Sequence, residues 1–173
     1  MTTSFVPLTG GCKCGQVRFR METAPIITHC CHCRDCQKVS GSAFRVNAMI
    51  ETDRLTVFEG EAQSFRGKDG QNEVRCPDCG SSLWSYIPMF GEAIAFVGVG
   101  MLDEGERLAP QAHYFTRSRY PWVTLPPDLP SFEALGRPQT PGAGERIAAA
   151  MGATASGPLM AATTAGAKAG RSN

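Results

Sequence analysis

Eight cysteines dominate the chemistry available to this 173-residue sequence, and they fall into three groups. Cys12 and Cys14 lie in GGCKCGQV, four more cysteines are crowded into THCCHCRDCQKVSG (28–41), and Cys76 and Cys79 lie in VRCPDCGSS. Disulfides are rare in a reducing cytoplasm, which is the expected location of this chain. The groups are therefore interpreted as metal ligands or redox thiols rather than as a disulfide framework.

The outer two groups are typical of zinc knuckles. In a C-x-x-C-G turn, backbone N–H groups point at thiolate sulfur, and Gly80 can adopt the positive φ that the turn needs. Gly15 stands in the same relation to Cys14. Structural zinc is closed by four ligands, so one tetrahedral site is predicted from Cys12, Cys14, Cys76 and Cys79. The alternative is two unrelated thiol pairs, but a thioredoxin-type pair would need a βαβ context that this pattern lacks.

The central group contains more sulfur than one ion needs. Cys30 and Cys31 are neighbours, and neighbouring side chains of an extended chain point to opposite sides, so only one of them should reach the metal. The ligand set is then Cys31, Cys33, Cys36 or Cys30, Cys33, Cys36. Either set has three members, and three protein ligands with an open fourth position are typical of catalytic zinc.

Period-two alternation of apolar residues predicts that mostly strands position these cysteines. Strands are predicted in QVRFRME, FRVNAMIE, RLTVFEG, SSLWSYI and EAIAFVGVGML. Only RDCQKVSG favours a helical turn, which should end at Gly41 and hold Cys36 near its N-terminus, where the helix dipole favours a thiolate. The pattern as a whole predicts an all-β domain.

The last part of the sequence lacks this alternation. From Gln111 onward an aromatic and proline-rich segment is predicted to cross the sheet as an extended strap. Its candidate anchors are Tyr114, Phe115, Trp122 and Phe132. Residues 137–173 are rich in Ala, Gly, Ser and Thr and are predicted to be a disordered tail, in which an isolated helix through IAAAM would be marginal. The expected division is therefore a zinc-binding domain over 1–136 and a tail over 137–173.

Charge and hydropathy give no support to a nucleic-acid-binding protein or a membrane protein. The formal net charge is +1, which gives no electrostatic case for a nucleic-acid or membrane-surface partner. The N-terminus has no basic, apolar signal-peptide pattern, and no stretch approaches the length of a membrane span. The expected location is the cytoplasm, and the sequence indicates no oligomeric state.

Three cysteine motifs, in this order and at about these separations, resemble the glutathione-dependent formaldehyde-activating family, which includes centromere-protein-V-like proteins. The motifs are GGCKCGQVRF, HCCHCRDCQKVSGSAF and CPDCGSSL, and the resemblance continues through HYFTRSRYPW and DLPSFE. It implies a zinc-binding β-tent fold of small packed antiparallel sheets. It further implies two Zn²⁺ per chain, with a structural ion on Cys12, Cys14, Cys76 and Cys79 and a catalytic ion on Cys31, Cys33 and Cys36. Cys30 is then the spare thiol, expected to be a small buried apolar residue.

The activity implied by the resemblance is the addition of the glutathione thiol to formaldehyde, giving S-(hydroxymethyl)glutathione. This is a carbon–sulfur lyase reaction run in reverse. Zinc suits it because a coordinating thiol is deprotonated and becomes a strong nucleophile. The implied partner is a small-molecule thiol, glutathione.

Other residues are candidates for a supporting role. His32 could move a proton or serve as a fourth ligand. Cationic groups for the glutathione carboxylates could come from Arg34, Lys38, Arg45, Arg66, Arg117 and Arg119, and backbone donors from Ser40, Gly41 and Ser42. Trp84 and Trp122 could wall a pocket, or serve as core and strap anchors.

Two other classes of function are compatible with the motifs. The first is a non-catalytic zinc module that binds a protein partner, with the second metal absent or closed by Cys30 or His32. The second is a thiol redox sensor in which Cys30 and Cys31 are alternative oxidation partners.

Overall fold

A computed structural model describes residues 5–68, 70–138 and 140–152 and shows an all-β fold, as predicted. Ten strands occur in the described residues: β1 Leu8–Gly11, β2 Arg18–Met21, β3 Ile27–Cys31, β4 Arg45–Glu51, β5 Leu55–Glu59, β6 Gln63–Arg66, β7 Asn72–Arg75, β8 Ser82–Tyr86, β9 Ile94–Gly98 and β10 Ala112–Tyr114. The α-helices of these residues are α1 Arg34–Ser40 and α2 Ala143–Ala150. Short 3₁₀ helices cover Thr52–Arg54, Val99–Met101, Gly105–Arg107 and Thr116–Ser118.

The strands form two sheets. The smaller sheet has the order β1-β2-β5 and is antiparallel. The larger has seven strands in the order β10-β3-β4-β9-β8-β7-β6, and all its pairs are antiparallel except β10 with β3. The expectation of small antiparallel sheets therefore holds for the first sheet, whereas the second is larger and mixed.

All five strands predicted from alternation are present, as β2, β4, β5, β8 and β9. β3 was not predicted, because every one of its residues is buried and its sequence ITHCC does not alternate. A strand covered on both faces gives no period-two signal. The predicted helical turn is α1, and Gly41 ends it in the left-handed conformation at φ 60°.

The central strand β4 separates two apolar cores. Ala48 and Ile50 lie in one core with Phe19 and Trp84, while Met49 packs on the opposite side. The second core also contains Phe96, Tyr114 and Ile147. β4 is therefore buried on both faces, which makes it a rigid support for side chains that must be held in place.

The predicted strap begins as β10, an edge strand that pairs with β3, instead of lying across the sheet from its start. Three of its four predicted anchors pack inward. Tyr114 is buried, and Phe115 and Phe132 pack against the second core. Trp122 is 73% exposed, so its prediction as an anchor is wrong. It lies past the point where the strap leaves the sheet, and its ring stacks on Tyr120 instead.

The predicted tail begins with an ordered element. Within it, α2 buries Ala143 and Ile147 in the second core, and Arg146 pairs with Glu51 of β4 at 2.6 Å. The prediction of disorder is wrong for this helix, because tertiary packing supplies the stability that a short isolated helix lacks. Residues 153–173 of the predicted tail lie outside the described residues.

No helix of the described ranges combines the length and the apolar character needed to cross a membrane.

Candidate metal centres

The first cluster consists of the sulfur atoms of Cys12, Cys14, Cys76 and Cys79, all within 4.8 Å of one another. The Sγ–Sγ distance is 3.4 Å from Cys12 to Cys14 and 3.7 Å from Cys14 to Cys76. Four thiolates bonded to zinc at ~2.3 Å in a tetrahedron would lie ~3.8 Å apart. The cluster could therefore hold a metal ion, and its donor set and spacing are compatible with zinc.

Two glycine turns shape this cluster. Gly15 and Gly80 have φ of 84° and 71°, and their N–H groups donate to the carbonyl oxygens of Cys12 and Cys76 at 3.1 and 3.0 Å. The Val17 N–H donates to Cys12 Sγ at 3.2 Å. These are the knuckle features expected from C-x-C-G and C-x-x-C-G, and a side chain at either glycine would be strained.

The four-cysteine cluster joins the two sheets. Cys12 and Cys14 lie in the connection between β1 and β2 of the smaller sheet, whereas Cys76 and Cys79 lie between β7 and β8 of the larger one. The Lys13 N–H also donates to Ser81 Oγ across this junction, at 3.1 Å. Hydrogen bonds from the side chain and backbone of Ser81 lower the pKa of Cys79 to about 5. A metal here would cross-link parts of the chain that are far apart in sequence.

The second cluster is formed by Cys31, Cys33 and Cys36, whose sulfur atoms also lie within 4.8 Å of one another. Cys31 ends β3, Cys33 is the N-cap of α1, and Cys36 is in the first turn of that helix. Cys33 Sγ accepts the Cys36 N–H at 3.3 Å and lies 3.4 Å from Cys31 Sγ. Among the described residues no fourth Cys, His, Asp or Glu joins this group.

The structure places Cys31, and not Cys30, in this cluster. Successive side chains of β3 point to opposite faces, so Cys30 points away from the other sulfurs. It is 3% exposed, and burial raises its pKa to about 11. Cys30 is therefore the small buried residue that the resemblance implies.

The pKa values of Cys31 and Cys33 are shifted in opposite directions. Hydrogen bonds from the thiols of Cys31 and Cys36, and from backbone N–H groups, hold the pKa of Cys33 well below its usual value. The same contacts raise the pKa of Cys31. One thiolate is thus favoured before any metal binds, and three soft sulfur donors form a site that could hold a metal ion such as zinc.

β4 carries two buried polar side chains, Asn47, which contacts Cys36, and Arg45, whose positive charge acts to lower the pKa of Cys36. Asn47 Nδ2 donates to Cys36 Sγ at 3.8 Å, and Asn47 is 3% exposed. Arg45 donates to the Ser82 carbonyl oxygen at 3.2 Å and lies 3.6 Å from Glu73. Gly98 makes room for this arginine, because a Cβ there would lie 2.9 Å from Arg45 Nη2.

Sequence reasoning missed Asn47 and gave Arg45 a different role. The alternation in FRVNAMIE puts Asn47 on the face opposite to the apolar residues, so it looks like a solvent-facing residue. An available signal was a polar residue between apolar neighbours in a strand predicted near the cysteines. Arg45 was a candidate for glutathione carboxylates, but its charge is buried and faces Glu73.

The histidines lie outside the three-cysteine group. His32 is fully buried, and its Nε2 lies 3.0 Å from His113 Nδ1. Burial, followed by the neighbouring charges of His113 and Arg119, lowers the pKa of His32 to about 4. His29 packs against the rings of Phe96 and Tyr114. His32 is therefore a packed core histidine, and the structure does not make it the fourth ligand.

The remaining candidates are distributed over the surface and core. Trp84 is 5% exposed and packs edge-on against Phe19, so it is a core residue. Arg66 is exposed on β6, and Arg117 is exposed in the 3₁₀ helix Thr116–Ser118, whose Ser118 carbonyl oxygen accepts a hydrogen bond from Gln37 of α1. Ser40 caps its own helix by donating to the Cys36 carbonyl oxygen at 2.7 Å. Arg34, by contrast, lies over the Tyr120 ring, with the guanidinium carbon 5.2 Å from the ring centre.

Comparison with known proteins shows what this chain is similar to. Residues 7–118 match the family described as glutathione-dependent formaldehyde-activating enzyme. A Halomonas elongata protein named "Putative glutathione-dependent formaldehyde-activating enzyme" is 26% identical over 127 residues, which cover 68% of this chain and 80% of that protein. A crystal structure of a Rhodobacter sphaeroides protein has a TM-score of 0.45 at 18% identity, and the alignment covers 56% of this chain and 88% of that one. The family match spans both cysteine clusters, and the chain belongs to the glutathione-dependent formaldehyde-activating enzyme family.

Proposed function

We propose that this protein is a zinc-dependent enzyme of the carbon–sulfur lyase type that condenses glutathione with formaldehyde to S-(hydroxymethyl)glutathione. The observation that supports it best is the second cluster, which has three converging sulfur atoms and no fourth protein donor among the described residues. An enzyme site needs such an open position, whereas a purely structural site is closed. The reaction is proposed for the cytoplasm, where thiols remain reduced.

The reaction balances without a redox partner. The glutathione thiol loses its proton, its sulfur forms a bond to the formaldehyde carbon, and the carbonyl oxygen takes up a proton to become a hydroxyl group. When bound, zinc lowers the pKa of a coordinating thiol and so makes it a nucleophile near neutral pH. Cys31, Cys33 and Cys36 are the proposed catalytic metal ligands. Their placement at a strand end and a helix N-terminus fixes the three protein donors relative to one another, so a thiol bound to the same metal would be held in one orientation.

The other cluster has a structural role in this proposal. Cys12, Cys14, Cys76 and Cys79 supply a complete set of four sulfur donors, so a zinc ion there would leave no position for a ligand. Its contribution would be to the stability of the junction between the two sheets.

The proposal is tested by metal content, thiol binding and turnover, in that order. The purified chain should contain two zinc ions, one for each cysteine cluster, and X-ray absorption should show a mixture of four-sulfur and three-sulfur environments. Glutathione should bind to the zinc-loaded chain. Exchange NMR with ¹³C-formaldehyde should then show adduct formation faster than the uncatalysed addition. Binding of no thiol, or two closed four-sulfur sites, would contradict the proposal.

The structure favours neither alternative function. Cys30 and His32 are buried and belong to neither cluster, so neither closes the second site. The same placement argues against a redox sensor that pairs Cys30 with Cys31, because adjacent strand residues point to opposite faces.

A further inference from the structure

A surface cavity of about 670 Å³ lies beside α1, the helix that carries two cysteines of the second cluster. Its walls come from α1, from the residues that follow the helix, and from the end of the strap, and include Arg34, Gln37, Lys38, Tyr120 and Trp122. Cavities of this size are typical of small-molecule sites. None of the lining residues is a cysteine, so the cavity would receive a part of a ligand that does not react.

The charge of the cavity favours an anionic ligand. Arg34 and Lys38 contribute two positive charges, and the lining contains no Asp or Glu. Within the described part of the chain, neither cation forms an ion pair. Arg45 differs in this respect, because Glu73 faces its guanidinium group.

A buried glutamine orders the cavity before a ligand arrives. Gln37 is 5% exposed, and its Nε2 donates to the carbonyl oxygens of His32 and Ser118 at 2.9 and 3.1 Å. Its Oε1 accepts from Arg34 Nη1 at 2.8 Å. Gln37 therefore ties the strap to the helix and holds the arginine. A guanidinium group that is already oriented loses little entropy when it binds a carboxylate.

Tyr120 and Trp122, the aromatic residues that line the cavity, belong to neither apolar core. Trp122 is 73% exposed and stacks on Tyr120 with ring centres 5.5 Å apart and planes at 22°. Tyr120 in turn lies beneath the Arg34 guanidinium group. The three side chains form a continuous stack at the mouth of the cavity. Such a stack offers an aromatic face beside the cations, against which the planar amide groups and the methylene groups of a short peptide can pack.

The cavity and the second cluster are adjacent along the chain. Cys33 directly precedes Arg34, and their Cα atoms are therefore ~3.8 Å apart. Cys36 lies on the same helix between Arg34 and Lys38. A three-residue peptide spans ~10 Å when extended, which is longer than the ~3 Å of helix rise that separates Cys36 from either Arg34 or Lys38.

We propose that this cavity binds the carboxylate ends of a short peptide thiol of the glutathione type, with Arg34 and Lys38 as anion-binding residues and Trp122 covering the peptide backbone. The inference rests on the proposed function, since it places the same substrate. It also predicts which thiols the site prefers. A thiol that carries carboxylates binds at both the cavity and the second cluster, whereas a thiol without carboxylates binds at the cluster alone.

The test compares two thiols on the zinc-loaded full chain by calorimetry. The double variant Arg34→Gln/Lys38→Met should bind glutathione about tenfold more weakly or worse, because charge-assisted hydrogen bonds are lost. Its affinity for 2-mercaptoethanol, which has no carboxylate, should not change. Trp122→Ala should weaken glutathione binding in the same selective way, and added salt should weaken it in the wild type but not in the double variant. Arg66→Gln is the matched control, since Arg66 is an exposed cation away from α1.

Each outcome separates the two proposals. If wild-type protein binds both thiols and the variants lose glutathione selectively, the cavity assignment is supported. Equal glutathione affinity in wild type and double variant would overturn the cavity assignment but leave the proposed function standing. If neither thiol binds to the wild type, both proposals fail. Ethyl esters of glutathione then identify which carboxylate the cavity holds, and unchanged affinity of the diester would also overturn the assignment.

Discussion

At the scale of single residues, identical cysteines acquire different roles from their neighbours. Cys76 is 1% exposed and belongs to a four-sulfur group that joins two sheets. Cys33 is partly exposed, begins a short helix and belongs to a three-sulfur group. Loss of a ligand should therefore cost stability at the first site and function at the second.

Substitution of one cysteine in each group tests this division. Cys33→Ser should lower the zinc content by one ion and abolish thiol binding while the β-sheet circular dichroism spectrum and the melting temperature stay close to wild type. Cys76→Ser should unfold the chain or lower its melting temperature strongly, because metal binding contributes to folding. Cys30→Ala is the matched control and should keep both ions. Equal destabilisation by the first two substitutions would contradict the division.

Asn47 is expected to tune the second site from outside the ligand shell. Its amide donates to Cys36 Sγ, and Asn47→Leu removes that donor while keeping a buried side chain of similar size. Loss of an outer-shell hydrogen bond typically lowers metal affinity about 10- to 100-fold. Competition with a chromophoric chelator measures the affinity, and the thiolate absorption of the Co²⁺-substituted protein reports the site directly.

Asn72→Leu on β7 serves as the control for this experiment, because Asn72 bonds to Ser64 and Glu92 rather than to a cysteine. Unchanged affinity of Asn47→Leu protein for the second ion would show that Asn47 is only a packing residue.

At the scale of elements, α2 shows how packing overrides composition. Its sequence AGERIAAA has few large apolar residues, yet Ile147 is 1% exposed in the second core. Arg146 adds hydrogen bonds to both carboxylate oxygens of Glu51, each at 2.6 Å. The helix is thus attached by an apolar face, with Ile147 as its largest buried residue, and by the hydrogen bonds of Arg146, and the two can be weakened separately.

Removal of the apolar contact should be costly. Ile147→Ala should lower the free energy of unfolding by about 2–5 kcal/mol, as expected for a large-to-small change in a core. Urea denaturation measures the effect, and Glu145→Ala on the exposed side of the same helix should change stability by less than about 0.5 kcal/mol. Equal values for the two variants would mean that α2 does not pack on the core in solution.

The charged contact should make stability depend on acid. Burial alone raises the pKa of Glu51, but hydrogen bonds from Arg146 and the backbone outweigh it, so the net pKa is lowered. A carboxyl group whose pKa is lower in the folded state contributes stability above its unfolded pKa of about 4.3 and loses that contribution as the pH falls through the folded value. The stability difference between wild type and Arg146→Met should therefore be present at pH 7 and shrink below about pH 4. A difference that is constant from pH 7 to pH 3 would contradict this assignment.

At the scale of the whole molecule, the four-cysteine cluster connects the two sheets, while the three-cysteine cluster lies at one end of the larger sheet. Stepwise chelation should follow this difference. A mild chelator should remove one zinc ion without change in the β-sheet spectrum, because an open site exchanges its ligand readily. A strong chelator should remove the second ion together with the fold. Zinc content and circular dichroism, recorded in parallel, check the order, and simultaneous loss of both ions would contradict it.

The residue pattern alone predicted the fold class, five of the strands, the helical turn at Cys36 and the grouping of six cysteines. These features depend on local information: alternation, turn glycines and ligand spacing each act over a few residues. Local spacing left Cys30 and Cys31 as alternatives, and only the family resemblance favoured Cys31 before the strand geometry placed it in the cluster.

The complete packing of the chain sets which faces are buried and which residues of distant elements come into contact. Contacts between segments far apart in sequence place Asn47 beside Cys36, bury Arg45 against Glu73 and dock α2 on the second core. They also leave Trp122 exposed. The cavity beside α1 arises in the same way, because the strap returns to the helix through the hydrogen bond of Gln37 to Ser118. Local patterns carry no information about these long-range contacts. The complete packing of the chain determines whether a strand is buried on both sides and which path a proline-rich segment takes.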